Sequence, residues 1–142
     1  MRSTKIFCVS VLMLAVSACA RGLWSTEVAP VFPALDPGKG RVFLYRSSAT
    51  GTAHTPEAML NGEKLGKLDR RGVFIVDVLP GSYAATTTMT NRVVHFSVRA
   101  GERKYVRFHS GIFESHMHPE LVDAAKGEAE VSGIGFLGPV RK

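Results

Sequence analysis

Three turn signals within twenty-five residues constrain this chain more than any other feature. They lie in Met59 to Tyr83, MLNGEKLGKLDRRGVFIVDVLPGSY. Asn61-Gly62 suits the two positive φ angles of a type I′ hairpin turn. Asp69-Arg70-Arg71-Gly72 has the acceptor-first, glycine-last pattern of a type I turn. Pro80-Gly81 presets φ at one position and frees it at the next, as a type II turn requires. Between the last two lies a β-branched and aromatic run, Val73 to Leu79, too short for an ordinary helix. The spacing predicts an antiparallel meander to which flanking strands are added.

The flanks supply those strands. Val42 and Leu44 fall on one face of Arg41 to Arg46, with Phe43 and Tyr45 on the other, so both faces are expected to be covered. In the Asn61-Gly62 hairpin Leu60 faces Glu63 and Ala58 faces Leu65. Leu65 and Leu68 then point to opposite sides unless Gly66 hosts a bulge. Phe74, Val76 and Val78 mark the core face of the next strand; Val73 and Ile75 share its other face with Asp77, read as an outward carboxylate near Lys64, Lys67 or Arg71. Ser82 to Met89 is β-prone, and Val94, Phe96 and Val98 alternate with Val93, His95 and Ser97. Arg103 to His109 sends Val106 and Phe108 inward. Turns recur every eight to ten residues, the spacing of a sandwich or barrel. Helical spacing appears only over Asp123 to Val131, where Val122, Ala125 and Ala129 allow a short helix. The expected fold is all-β: an antiparallel β-sandwich of about seven strands with a short C-terminal helix.

The N-terminal region has a different character. Arg2 and Lys5 precede an apolar run from Ile6 to Val16, which has signal-peptide length and is short for a membrane span. The run ends in Val16-Ser17-Ala18-Cys19, which resembles a bacterial lipobox. That resemblance implies cleavage before Cys19, acylation of its thiol and of the new amine, and a permanent anchor. Three acyl chains at roughly 0.8 kcal/mol per buried CH₂ far exceed the need for stable attachment. An ordinary secretory signal fits Ser17-Ala18-Cys19-Ala20 less well. Cys8 and Cys19 are the two cysteines, so the mature domain has no thiol for a disulfide or a metal. Ala20 replaces the aspartate associated with inner-membrane retention, which by resemblance favours the outer membrane with the domain facing the periplasm.

Four segments follow: residues 1–18 as lipoprotein signal, 19–39 as lipidated N-terminus and proline-rich tether, 40–131 as the sandwich, and 132–142 as a loose, glycine-containing tail. Pro30, Pro33 and Pro37 make the tether a poor strand. If flexible, it would reach on the order of 25 Å, keeping the domain near its membrane. Leu23, Trp24, Val31 and Phe32 either dip into the interface or pack on the domain. Loss of Arg2 and Lys5 takes the formal charge from +6 to +4. A basic surface suits anionic lipid, lipopolysaccharide or peptidoglycan carboxylates, and it also serves solubility. Nucleic acid is not an expected partner of a lipid-anchored envelope protein.

The order of a VFLYR strand, an LNGEKLGKL hairpin, FIVDVLPGSY and AGERKYVR resembles a family of small bacterial lipoproteins. That family carries a domain of unknown function related to PEGA-like β-sandwiches. The resemblance covers roughly Gly40 to Val131 and implies the fold and the envelope address. It carries over no catalytic residues.

The remaining chemistry is sparse. Arg103, Tyr105 and Arg107 alternate on one strand face, a cation-aromatic-cation stripe able to hold sugars, phosphates or carboxylates. The plainer reading is a solvated face whose arginine stems cover apolar surface. On a strand, His116 and His118 would share a face, with His109 or Glu114 as a third metal ligand. Exposed loop positions are the plainer reading of His54, His95, His109, His116 and His118. No nucleophile elbow, phosphate-cradling loop or paired carboxylates are found, so neither an enzyme nor a cofactor is expected. The expected function is a lipid-anchored, non-enzymatic periplasmic module. It would bind an envelope protein, peptidoglycan or other glycan near the outer membrane. The alternatives are a structural envelope lipoprotein with no dedicated ligand site, or a histidine-based metal-binding protein.

Overall fold

The computed structural model describes residues 32–48, 54–111 and 116–138, and Cys19 and Glu114 lie outside them. The β-sandwich with a short C-terminal helix is present. β1 (Gly40–Arg46), β4 (Gly72–Val78), β7 (Arg103–His109), β8 (His118–Val122) and β9 (Gly135–Phe136) form one sheet in the order β8-β7-β1-β4-β9. β2 (Glu57–Leu60), β3 (Glu63–Lys67), β5 (Gly81–Thr87) and β6 (Val94–Val98) form the other, ordered β3-β2-β5-β6. The helix α1 spans Ala124–Val131.

Local signals succeed where the contact is local. Asn61 and Gly62 adopt φ 49° and 80°, closing the β2–β3 hairpin. Ala58 pairs with Gly66 and Met59 with Lys64, so Leu65 is the extra residue of a bulge. Gly66 takes φ 140° there, and both Leu65 and Leu68 turn into the core.

The meander is not formed. β3 and β5 belong to one sheet and β4 to the other, so the chain changes sheet on both sides of β4. Arg71 carries the left-handed φ, 53°, at the first crossing. Gly81 does not: it already belongs to β5, and Pro80 lies in a crossover between sheets rather than a type II turn. The Tyr83 hydroxyl donates to the Leu79 carbonyl at 2.6 Å and pins that corner. Nor is the sandwich wholly antiparallel. β1 pairs antiparallel with β4 but parallel with β7, and β9 pairs parallel with β4. A parallel pair needs a long crossover, which the excursion through the second sheet provides.

Two cores result. Val42, Leu44, Phe74, Val76, Val106 and Phe108 point between the sheets and meet Ala58, Leu60, Phe96 and Val98 from the other side. Phe43, Tyr45, Val73, Ile75, Tyr105 and Val122 form a second cluster on the opposite face of the five-stranded sheet. α1, Phe32 and Ile134 pack on that face, which is why every residue of β1 and β4 is buried. Asp123 caps α1, its carboxylate accepting from the Lys126 amide at 3.0 Å. Gly127 and Val131 are the buried positions of α1, so its packed face is not the Ala125/Ala129 face expected from the sequence.

The described ends also pack. Phe32 stacks edge-on against Phe136, with centroids 5.6 Å apart, so its choice falls to the domain. Gly135 and Leu137 donate to the carbonyls of Arg71 and Val73, so this part of the tail is a strand rather than loose chain.

Candidate functional site

β7 lies between β1 and β8, and the face carrying Arg103, Tyr105 and Arg107 is the one roofed by α1. The expected outward stripe is therefore divided into three environments. Tyr105 is 2 % exposed. Its ring stacks on Phe43 with centroids 4.6 Å apart and planes 7° from parallel. Burial raises the pKa of its hydroxyl. Alternation along β7 had suggested solvent on this side; the roofing helix is the reason it is absent.

Arg107 is a clamp between elements. It donates to Glu120 of β8 at 2.6 Å and to Glu130 of α1 at 2.8 Å. The Tyr45 hydroxyl donates to the other oxygen of Glu130 at 2.6 Å. Burial first, and then this hydrogen bond, raise the pKa of Tyr45. The Arg107 hydrogen bond holds the Glu120 carboxyl below its ordinary value of 4.5. A carboxyl depressed in the folded state stabilises above its unfolded value and loses that contribution as pH falls through the folded one. Urea midpoints should accordingly fall as pH drops below 4.5. Arg107→Ala should lower stability by about 1–2 kcal/mol at neutral pH and flatten that acid limb. An unchanged acid limb would remove the clamp from the account.

Arg103 alone of the three remains at the surface, its side chain 57 % exposed and 3.6 Å from the carboxylate of Glu128. It stands at the mouth of a pocket of about 400 Å³ between β7, the end of α1 and residues 32–35. Phe43 and Tyr105 contribute aromatic surface, while Phe32, Leu35 and Val131 supply apolar walls. Arg41 also lines it, and Arg41 belongs to a pair that sequence reasoning missed. Its Nε and Nη2 donate to the two oxygens of Asp77 at 2.6 and 2.8 Å, with Arg41 5 % and Asp77 3 % exposed. Nη2 also donates to the Pro33 carbonyl at 2.9 Å, tying the pocket wall to the sheet. The hydrogen bond to Asp77 raises the pKa of Arg41 against the opposing effect of burial. Asp77 is thus an inward partner, not the outward carboxylate expected near Lys64, Lys67 or Arg71. Opposite charges in two otherwise apolar strands were the available signal.

The histidines meet in pairs. His109 and His118 are opposite one another across β7 and β8, with rings 6.3 Å apart. The rings of His116 and His118 are 6.5 Å apart and nearly parallel. Thr90 lies 3.3 Å from His118 Nδ1, and His95 is exposed on β6. Among the described residues, no three of His, Cys, Asp and Glu are grouped closely enough to hold a metal ion.

Residues 36–119 match the family model described as Protein of unknown function (DUF2846). The chain belongs to this family. No curated protein and no solved structure matches the chain. The DUF2846 segment contains β1 to β7 and with them Arg41, Asp77, Arg103, Tyr105 and Arg107. α1 follows it, so Glu128 and Val131 of the pocket come from beyond the matched segment.

Proposed function

We propose that this DUF2846 protein is a lipid-anchored, non-enzymatic module on the periplasmic face of the outer membrane, related to PEGA-like sandwiches. It binds an envelope protein or glycan close to that membrane. The observation that supports binding is the pocket under Arg103, which joins apolar and aromatic walls to an exposed guanidinium. Its wall, residues 32–35, is also the start of the described chain, so the pocket lies close in sequence to the proposed anchor at Cys19. Among the described residues no helix is long and apolar enough to cross a membrane, and attachment in this proposal rests on the acyl chains alone. A second reading, a structural lipoprotein without a ligand site, draws support from Tyr105 and Arg107 being engaged inside the domain.

Two measurements test these readings. Cys19→Ser should move the protein from the outer-membrane fraction to the soluble fraction and abolish incorporation of labelled fatty acid. Retention in the membrane would overturn the anchor. A photo-crosslinker in place of Leu35, at the pocket wall, should capture a discrete partner in cells, and Arg103→Ala should abolish that product. Labelling indifferent to Arg103 would favour the structural reading.

A further inference from the structure

The pocket constrains the chemistry of what enters it. Its walls are largely apolar and its volume is at the small end for ligand sites; its polar side chains are the guanidiniums of Arg41 and Arg103, the hydroxyls of Tyr105 and Ser132 and the carboxylate of Glu128. The Arg103 side chain is 57 % exposed and lies 3.6 Å from the Glu128 carboxylate, a loose pairing. Arg41, although nearly buried, commits Nε and Nη2; among the described residues nothing accepts from its Nη1. Ala34 and Leu35 likewise have no main-chain hydrogen bond among the described residues, so their amides and carbonyls are left to water or to a ligand.

From these features we infer that the pocket receives the free C-terminus of a peptide whose last residue is apolar. This inference rests on the binding reading above and names its ligand. The terminal carboxylate takes charge-assisted hydrogen bonds from Arg103 at the mouth and from the spare donors of Arg41. The final side chain lies against Leu35 and Val131, and the preceding peptide group bonds the open main chain of Ala34 and Leu35. A hydrocarbon chain would use the walls and the guanidinium but leave those amides unpaired, which disfavours a fatty acid. Glu128 opposes an incoming carboxylate and competes for Arg103. Removing its charge should therefore strengthen binding.

The test uses the full-length protein in nanodiscs, with a fluorescein-labelled tetrapeptide ending in Leu-Ala, its C-terminal amide and dodecanoate as probes. The free acid should bind about tenfold more tightly than the amide, since a charge-assisted pair is lost with the carboxylate. Arg103→Ala should weaken the free acid about fivefold and leave the amide unchanged. Glu128→Gln should tighten the free acid about threefold, and both residues are exposed enough for the variants to fold. Equal binding of acid and amide, no binding of either, or tighter binding of dodecanoate would overturn the peptide assignment. If crosslinking from position 35 still required Arg103 in that event, the pocket would remain a binding site with a different ligand. Loss of both results would remove the binding reading itself.

Discussion

Asp77→Ala is expected to cost about 3–5 kcal/mol of stability, the range for removing one partner of a buried ion pair. The Arg41 residue would be left 5 % exposed beside the Phe43–Ile75 pair of the same sheet face, with no counter-charge from Asp77. The charge cannot be relieved by deprotonation, because an arginine keeps its proton at any ordinary pH. A domain of this size has on the order of 5–15 kcal/mol in total, so the variant should melt far below the parent or fold only in part. Urea denaturation followed by circular dichroism measures the difference directly. A loss under about 1 kcal/mol would mean that water reaches the pair.

The companion experiment separates charge from packing. Arg41→Met combined with Asp77→Leu should recover most of the lost stability, since apolar replacements of a buried pair are often neutral or better. It should not restore the pocket. Arg41 Nη2 holds the Pro33 carbonyl, and neither methionine nor leucine can replace that donor. Limited proteolysis by a non-specific protease within residues 32–36 should speed up in the double variant even though its melting is near normal. The pair thus connects the interior of the sheet to the wall of the proposed site.

What was legible in the sequence follows from how far apart the deciding residues lie. The Asn61-Gly62 turn is written in adjacent positions and is found where the pattern placed it; the bulge expected at Gly66 instead makes Leu65 the extra residue, so Ala58 faces Gly66 and not Leu65. The alternating core faces of β1, β4 and β6 are equally local. The parallel pairing of β1 with β7 is not, because its partners are separated by five intervening strands and no turn encodes it. β9 has two residues and no alternation to detect. Arg103, expected on an outward strand face, has an exposed side chain. Tyr105 and Arg107 were placed on the right face but in the wrong medium, since β7 alone cannot disclose that α1 lies over it. A glycine within the helical run Ala124–Val131 was the overlooked sign. Glycine costs up to about 1 kcal/mol in a helix interior and is retained where another element approaches closely.

That sign leads to the second large effect. Gly127→Ala should destabilise the protein by about 2–3 kcal/mol despite placing a better helix former in α1. The added methyl carbon would lie 2.2 Å from Tyr105 Cγ and 2.5 Å from its Cβ. A Cβ belongs to the strand itself, and β7 is held on both sides by β1 and β8, so the tyrosine cannot swing aside. The helix must lift instead, which exposes Val131 and stretches the Glu130 bonds to Tyr45 and Arg107. Gly72→Ala provides the contrast. Its new carbon would also be close to a neighbour, 2.5 Å from Leu137 Cδ1, but that atom ends a flexible side chain near the C-terminus. The leucine side chain can change rotamer with the β4–β9 hydrogen bonds kept, so the cost should stay under about 1 kcal/mol. Chemical denaturation of the two variants together, with near-UV circular dichroism reporting on the tyrosines, decides the matter. If Gly127→Ala proved no worse than Gly72→Ala, α1 would not be seated on Tyr105. The covered half of the stripe would then again be open to a ligand.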